Sequence, residues 1–268
     1  MRGSCAGDLF TLQCKGKCAE NLDNLWMKRA FDFIASSLGI IVFLPLLGML
    51  AFLIKCSDKG PIIFRQNRVG LAGRTFRVFK FRTMLKHAAA MGTSVTASND
   101  PRITRIGRIL RRTKMDELPQ LINVLKGDMS LVGPRPDVQE IVDRYSPDMR
   151  QILSIKPGIT SVATLHLRDE EGILASVSDP DSFYEEVLAP LKVRLAMEHV
   201  ERGSFWFDMK VLFQTLWMLS LGRLWPIQAH PEMMELKKKI VQDQAARIDI
   251  RESMETTAYE REISPRTK

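Results

Sequence analysis

Two adjacent carboxylates, Asp116 and Glu117, stand directly behind a run of cations. From Pro101 to Lys114 the chain carries Arg102, Arg105, Arg108, Arg111, Arg112 and Lys114, with no acidic residue among them. Further on, Gly133-Pro134-Arg135-Pro136 clamps one arginine between two prolines whose fixed φ angles stiffen the loop. Phosphoryl transfer uses parts of these kinds. Cations hold the dispersed negative charge of a pyrophosphate. One carboxylate can attack phosphorus and carry the group as an acyl phosphate. A second can hold Mg2+, which bridges phosphate oxygens. Asp116 lies where a helix N-cap is expected, and there the helix dipole and nearby arginines keep it ionised, as a nucleophile requires. The plainer reading makes Asp116 a cap and Glu117 a first-turn acid. The six preceding cations without a balancing acid weigh against it.

These residues need elements to position them. Pro61-Ile62-Ile63-Phe64 and Thr75-Phe76-Arg77-Val78-Phe79 read as two strands of a hairpin turned by Gly70-Leu71-Ala72-Gly73. Lys80-Phe81-Arg82 follows and sets cations beside aromatic anchors. Ala88 to Asn99 reads as a loop, and Pro101 to Lys114 as a helix with Ile103, Ile106, Ile109 and Leu110 on its apolar face. Asp116-Glu117-Leu118-Pro119-Gln120 opens a short helix that Gly127-Asp128 ends. Tyr184 to Leu221 is mainly helical. Its later part is amphipathic, and Trp217 and Trp225 suit a headgroup-level position as well as an ordinary core helix would.

Phe33 to Ile54 is a run of 22 residues without a charge. As a helix it would be about 33 Å long, close to the hydrocarbon thickness of a bilayer. A core helix seldom stays uncharged for so long, so a membrane segment is expected. Pro45 sits in the middle and removes the bond to the Ile41 carbonyl, so a kink is expected, with Ser36 and Ser37 near enough to satisfy backbone groups. Lys28 and Arg29 precede the run and Lys55 and Lys59 follow it. A spanning helix usually carries its positive excess on one side. Basic flanks at both ends suit a helix that enters, bends and returns to the same face.

The chain is basic, with 39 Lys and Arg against 31 Asp and Glu, which favours nucleic acid, anionic lipid or phosphorylated partners. Cys5, Cys14, Cys18 and Cys56 are read as reduced thiols, since no second CxxC or His pair completes a zinc site. No secretory signal pattern stands at the start. Residues 1–24 are read as a mobile tail and 226–268 as a charged extension. Three classes compete: a phosphosugar transferase, a membrane-tethered nucleic-acid binder, and a non-catalytic scaffold of the same fold. The nucleic-acid reading leaves the acidic pair unexplained and has no recognised motif.

At the acidic pair the chain resembles the bacterial sugar transferases, the monotopic polyprenyl-phosphate phosphoglycosyl transferases. The resemblance begins at Lys28-Arg29-Ala30-Phe31-Asp32 and runs through Gly60 to Gly70 and Phe79-Lys80-Phe81-Arg82-Thr83-Met84. It is densest from Asp100 through Asp116-Glu117-Leu118-Pro119-Gln120 to Pro136, and Lys156-Pro157-Gly158-Ile159-Thr160 and Phe207-Asp208-Met209-Lys210 extend it. The resemblance implies a ping-pong transfer of a phosphosugar from a UDP-sugar to polyprenyl (undecaprenyl) phosphate, with UMP released and Asp116 as nucleophile. Glu117 would bind Mg2+. Lys80, Arg82, Arg111 and Arg135 would contact phosphates or support the pair. Pro45 would break a re-entrant anchor. The expected fold is α+β and mostly helical: a re-entrant helix at 25–59, then a catalytic domain at 60–225 with a small hairpin and amphipathic interfacial helices around a cytoplasmic active site. The implied setting is the bacterial inner membrane, with the lipid bilayer, the UDP-sugar and polyprenyl phosphate as partners and no nucleic acid; a homo-oligomer stays open. Lys114-Met115 departs from the Ser-Leu that many relatives carry there.

Overall fold

A computed structural model of the chain describes residues 8–57, 60–86, 88, 100–167, 170–175, 177, 179–220 and 238, with side chains from residue 25 onward except that of Glu171. Most of the 88–99 loop, Trp225 and nearly all of the C-terminal extension lie outside these residues. The architecture is mostly helical with two small two-stranded sheets.

Helix α1 runs from Asp8 to Ser57 through Pro45. Residues 8–24, expected as a tail, are therefore helical. Extending an existing helix costs far less than nucleating one, so the strong segment downstream carries the weaker sequence with it. From Leu25 to Ser57 the helix is long and apolar enough to cross a membrane. Ser37 donates to the Phe33 carbonyl at 2.8 Å, so it does not serve the Ile41 carbonyl that Pro45 leaves, and Ser36 is buried with no partner for its hydroxyl among the described residues.

One stripe of α1 touches the rest of the protein. Lys28 donates to the Val132 carbonyl at 3.0 Å and pairs with Asp208. Arg29 donates to the carbonyls of Val124 (2.6 Å) and Leu125 (2.9 Å), and Asp32 accepts from the Leu131 amide. At the other end Leu50 and Ile54 join Phe81 and Leu110 in a buried cluster, flanked by Leu46, Leu47 and Ala51. These positions recur at helical spacing, so they share one face. Outside it Phe33, Ile34, Leu38, Ile41, Val42, Leu44, Met49 and Phe52 are exposed.

Strands β1 (Ile63–Val69) and β2 (Thr75–Phe81) form the antiparallel hairpin, with Ile63 opposite Phe81 and Val69 opposite Thr75. Both strands run longer than the sequence suggests. Helix α2 (Arg105–Thr113) follows, capped by Thr104, whose side chain accepts from the Gly107 amide. Gly107 is required there, because a Cβ would stand 1.9 Å from the Thr83 carbonyl oxygen. Ile103 precedes the helix and Ile109 is 64% exposed, so the expected apolar face is not uniformly internal. A 3₁₀ turn (Met115–Gln120) leads into α3 (Leu121–Lys126), which ends at Gly127 with φ +88°.

Strand β3 (Ser130–Val132) pairs in parallel with β4 (Gly158–Thr160), a pairing the sequence did not announce. Helix α4 (Gln139–Val142) lies between them, and α5 (Val162–His166), α6 (Glu170–Ala175) and α7 (Pro180–Phe183) follow. A π turn over Tyr184–Leu188 opens onto α8 (Ala189–Arg202), and Gly203-Ser204 breaks the chain before α9 (Phe205–Ser220). Helix α9 buries Val211 and Met218 and exposes Trp206, Phe213, Leu216 and Leu219. Buried His199 on α8 stands 3.2 Å from Asp208 on α9, and burial, then Lys28, push its imidazole down to about 4.

Candidate active site

Lys80, Arg82, Arg111, Asp116, Glu117 and Arg135 all line one cleft of about 1730 Å³. Pro45 does not line it. Three elements deliver the acidic pair and its cations. Strand β2 supplies Lys80, the 3₁₀ turn supplies Asp116 and Glu117, and the loop after β3 supplies Arg135. Asn123 locks the first two together: its side chain accepts from the Phe79 amide (3.0 Å) and donates to the Arg77 carbonyl (2.7 Å). Asn123 is completely buried, and its role was not legible in the sequence, where it read only as part of a helix.

Glu117 is the centre of a charged knot. Its Oε1 accepts from Lys80 Nζ at 2.9 Å and Arg135 Nη2 at 2.6 Å, while Oε2 has only a 3.4 Å contact from Arg135 Nη1. Burial alone would raise this carboxyl, but Arg135 and then Lys80 more than offset it and hold it well below the ordinary range. Burial pushes Lys80 down, with Glu117 opposing. Arg135 is raised, first by the charge of Glu117.

Asp116 behaves differently. It sits inside the 3₁₀ turn and is not an N-cap, because Lys114 takes the preceding position in the left-handed region at φ +58°. Such a backbone costs a non-glycine residue roughly 1–3 kcal/mol. Asp116 is 8% exposed, and its Oδ1 is buried with no hydrogen-bond partner among the described residues. Burial first, then Glu117, push its carboxyl up to about 6; Lys80, Lys114 and Arg111 act the other way. Helix-cap electrostatics therefore do not keep it ionised, but at neutral pH the group is still mainly a carboxylate.

Arg111 donates through Nε to Thr83 Oγ1 at 3.0 Å, and the Arg82 guanidinium packs against Gly60, where a Cβ would fall 1.6 Å from Nη1. Arg102 is not a free cation for a ligand, since Asp100 takes it with contacts of 2.6 and 2.9 Å. The acid that balances it lies just before the stretch read as unbalanced. Arg108, Arg112 and Lys114 also line the cleft.

Among the described residues no group of three or more His, Cys, Asp and Glu could hold a metal by itself. Mg2+ is commonly bound through one or two carboxylates and substrate phosphates. The lightly used Glu117 Oε2 and the orphaned Asp116 Oδ1 fit that mode. Cys56 is a free, exposed thiol.

Sequence reasoning missed a second set of side chains in the cleft. Tyr145 donates to Asp137 at 2.7 Å, Lys192 pairs with Glu170 at 2.6 Å, and Lys192 lies 4.7 Å above the Tyr184 ring. Asp137 directly follows the arginine loop, whereas Tyr145, Glu170, Tyr184 and Lys192 come from segments with no motif and reach the same cleft only through the fold.

The chain is similar in sequence to known undecaprenyl-phosphate sugar phosphotransferases. A UDP-N-acetylgalactosamine-undecaprenyl-phosphate N-acetylgalactosaminephosphotransferase of Aeromonas hydrophila is 35% identical over 202 residues, 74% of this chain and 44% of that protein. A UDP-glucose:undecaprenyl-phosphate glucose-1-phosphate transferase of Escherichia coli (strain K12) is 36% identical over 201 residues, 72% of this chain and 40% of that one. The chain thus spans less than half the length of these two. It covers 94% of the exopolysaccharide production protein PSS of Rhizobium leguminosarum bv. phaseoli, at 37% identity over 202 residues. The family model described as bacterial sugar transferase matches residues 23–222, a span that takes in α1 from Asp23, the acidic pair with its cations and the whole of α9, and to that family the chain belongs.

Proposed function

We propose that this protein transfers a phosphosugar from a UDP-sugar to undecaprenyl phosphate, through a covalent intermediate on Asp116, at the cytoplasmic face of the bacterial inner membrane. It would thereby open the membrane phase of exopolysaccharide, O-antigen or related glycan synthesis. One observation carries the reading. Within a cation-lined cleft, Asp116 keeps a buried oxygen without a partner, while neighbouring Glu117 is held by Lys80 and Arg135.

In the first half-reaction an Asp116 oxygen attacks the β-phosphorus of the UDP-sugar. A carboxylate–phosphorus bond forms, the bond from that phosphorus to the bridging oxygen breaks, and the oxygen leaves with UMP. In the second, a phosphate oxygen of undecaprenyl phosphate attacks the same phosphorus, the acyl–phosphate bond breaks, and Asp116 returns as a carboxylate. Arg135, Lys80 and Arg111 supply positive charge where phosphate charge develops. Bound between Glu117, Asp116 and the substrate phosphates, Mg2+ would neutralise further phosphate charge.

Membrane attachment through a re-entrant α1 is part of the proposal. Both ends of the apolar run in α1 rest on the same body, Lys28 to Asp32 at one end and Leu50 and Ile54 at the other, and its remaining faces are apolar and exposed. Exposed apolar side chains on α9 suit the same interface.

The deciding experiment uses the purified chain in detergent or nanodiscs with a panel of radiolabelled UDP-sugars. UMP should be released in amounts matching the enzyme without acceptor and catalytically with undecaprenyl phosphate, and label should remain on the protein in the first case. Turnover without any protein-bound label would remove the covalent step. No UMP from any UDP-sugar would remove the donor.

A further inference from the structure

We propose that Asp137, Tyr145, Glu170, Tyr184 and Lys192 form the subsite that receives the glycosyl group of the donor and selects among sugars. The inference rests on the function proposed above and assigns one wall of that cleft.

Placement is the first argument. All five line the cleft that holds Asp116 and Arg135. Arg135 feels the charge of both Asp116 and Glu170, so the acidic pair and this wall are both within its electrostatic reach. Arg68, which donates to the Pro136 carbonyl at 3.2 Å and feels Arg135, Asp137 and Tyr184, ties the wall to the arginine loop.

Chemistry is the second. Two carboxylates, Asp137 and Glu170, make this wall unsuited to phosphate. Tyr145 uses Asp137 Oδ2, and Lys192 uses Glu170 Oε1. Asp137 Oδ1, touched only by Arg68 at 4.0 Å, and Glu170 Oε2 are left as acceptors among the described residues. Lys192 and the two phenols can donate as well. Carboxylates, an ammonium and hydroxyls at short spacing match vicinal sugar hydroxyls, which both donate and accept. A uracil ring would want a free aromatic face, and the Tyr184 face towards Lys192 is taken.

The third argument is where the residues lie in the chain. All five lie inside the family match over residues 23–222, but none falls within the motif stretches quoted above, which deliver the acidic pair and its cations. The relatives named above differ in sugar, N-acetylgalactosamine in one and glucose in the other. Residues that choose the sugar must be free to differ while the phosphate machinery is shared. Tyr184 also opens the π turn, a local widening that re-aims side chains and is frequent at functional sites.

The test is kcat/KM for a panel of UDP-sugars (glucose, galactose, N-acetylglucosamine, N-acetylgalactosamine), with undecaprenyl phosphate as acceptor, in wild type, Glu170→Gln, Lys192→Met and Tyr184→Phe. The wall reading expects kcat/KM for the preferred sugar to fall about 10–100-fold in the charge variants, the loss of one or two charged hydrogen bonds. Preference over the epimer should shrink, while inhibition by UMP and the thermal midpoint stay unchanged. A parallel loss of UMP inhibition would move the wall to the nucleoside and overturn the inference. So would equal losses on every UDP-sugar, or no change. Should Glu170→Gln or Lys192→Met lower the thermal midpoint, Tyr184→Phe decides, since it removes one oxygen and keeps the ring. Wild type that releases UMP from no donor would instead defeat the parent reading, and this inference with it.

Discussion

Arg135 and Glu117 meet through two contacts, 2.6 Å from Nη2 to Oε1 and 3.4 Å from Nη1 to Oε2, and Lys80 closes on Oε1 at 2.9 Å. The consequence falls on Asp116. Because both cations lean on Glu117, its neighbour keeps a free oxygen in a buried setting. Adjacent carboxylates therefore have different electrostatic surroundings, which suits them to the separate roles proposed above.

Asp116→Asn keeps the shape and removes the proposed nucleophile. We expect UMP release to fall by at least about 10⁴-fold, the scale seen when a nucleophile is deleted. Protein-bound sugar phosphate should vanish with it. Release near the wild-type rate would exclude Asp116 as the attacking group.

The Arg135–Glu117 fork predicts that Arg135→Lys is not benign. A lysine keeps the charge and loses the planar pair of donors. kcat/KM should drop roughly 10–100-fold, the worth of one charged hydrogen bond. Glu117→Gln should weaken the dependence on Mg2+ as well as the rate. Full wild-type activity in EDTA would remove the metal from the account.

The acid limb of kcat/KM should fall near pH 6. In the proposed mechanism Asp116 must be ionised to attack, and its carboxyl is pushed up to about 6, so activity should be lost as pH drops through that value. Lys80 and Lys114 favour the ionised form. Lys80→Met and Lys114→Ser should each move the limb to higher pH. A limb that stays put in both variants would show that another group governs it.

Much of this site was legible as residue types and order. The acidic pair, the proline-clamped Arg135 and the hairpin that leads into Lys80 all read from local pattern, because turn chemistry and strand alternation act over a few residues. What could not be read was tertiary. Asp116 looked like a cap because a cation-rich helix ended just before it, but left-handed Lys114 turns the chain into a 3₁₀ segment and takes the carboxylate out of water. Asp100 neutralises Arg102 from one residue outside the stretch counted as unbalanced. The parallel pairing of β3 with β4 joins segments far apart in sequence, and three-residue strands leave almost no periodicity to detect.

Lys28 and Asp208 should be strongly coupled. The pair joins α1 to α9, and Lys28 also holds the Val132 carbonyl just ahead of the Arg135 loop. Removing one partner strands a buried charge, at a cost of about 3–5 kcal/mol. Lys28→Met and Asp208→Asn should each lower the denaturation midpoint, and the double variant should lose clearly less than their sum. Additive losses would mean that the two groups act independently. Turnover should also fall in Lys28→Met, since the arginine loop loses a tether.

The last prediction concerns topology: residues 28–59 form a re-entrant element with both of its ends on the cytoplasmic side. Cations flank the apolar run at both ends, Pro45 removes a backbone bond midway, and contacts at Lys28 to Asp32 and at Leu50 and Ile54 hold both ends to one domain. A full span would carry Lys28, Arg29 and Asp32 to the far face and break their bonds to Val132, Val124, Leu125 and Leu131. Those contacts weigh against a span independently of the flanking charge. With the native cysteines replaced, single cysteines at Asn24 and Lys59 should both resist an impermeant thiol reagent in intact cells and both react in inverted vesicles. Labelling of position 24 from outside, with 59 protected, would establish a span. Pro45→Ala restores the missing backbone donor, so it should favour a straighter helix. If the bend sets the depth at which Asp116 meets the acceptor phosphate, turnover with undecaprenyl phosphate should fall in that variant while the acceptor-independent release of UMP persists.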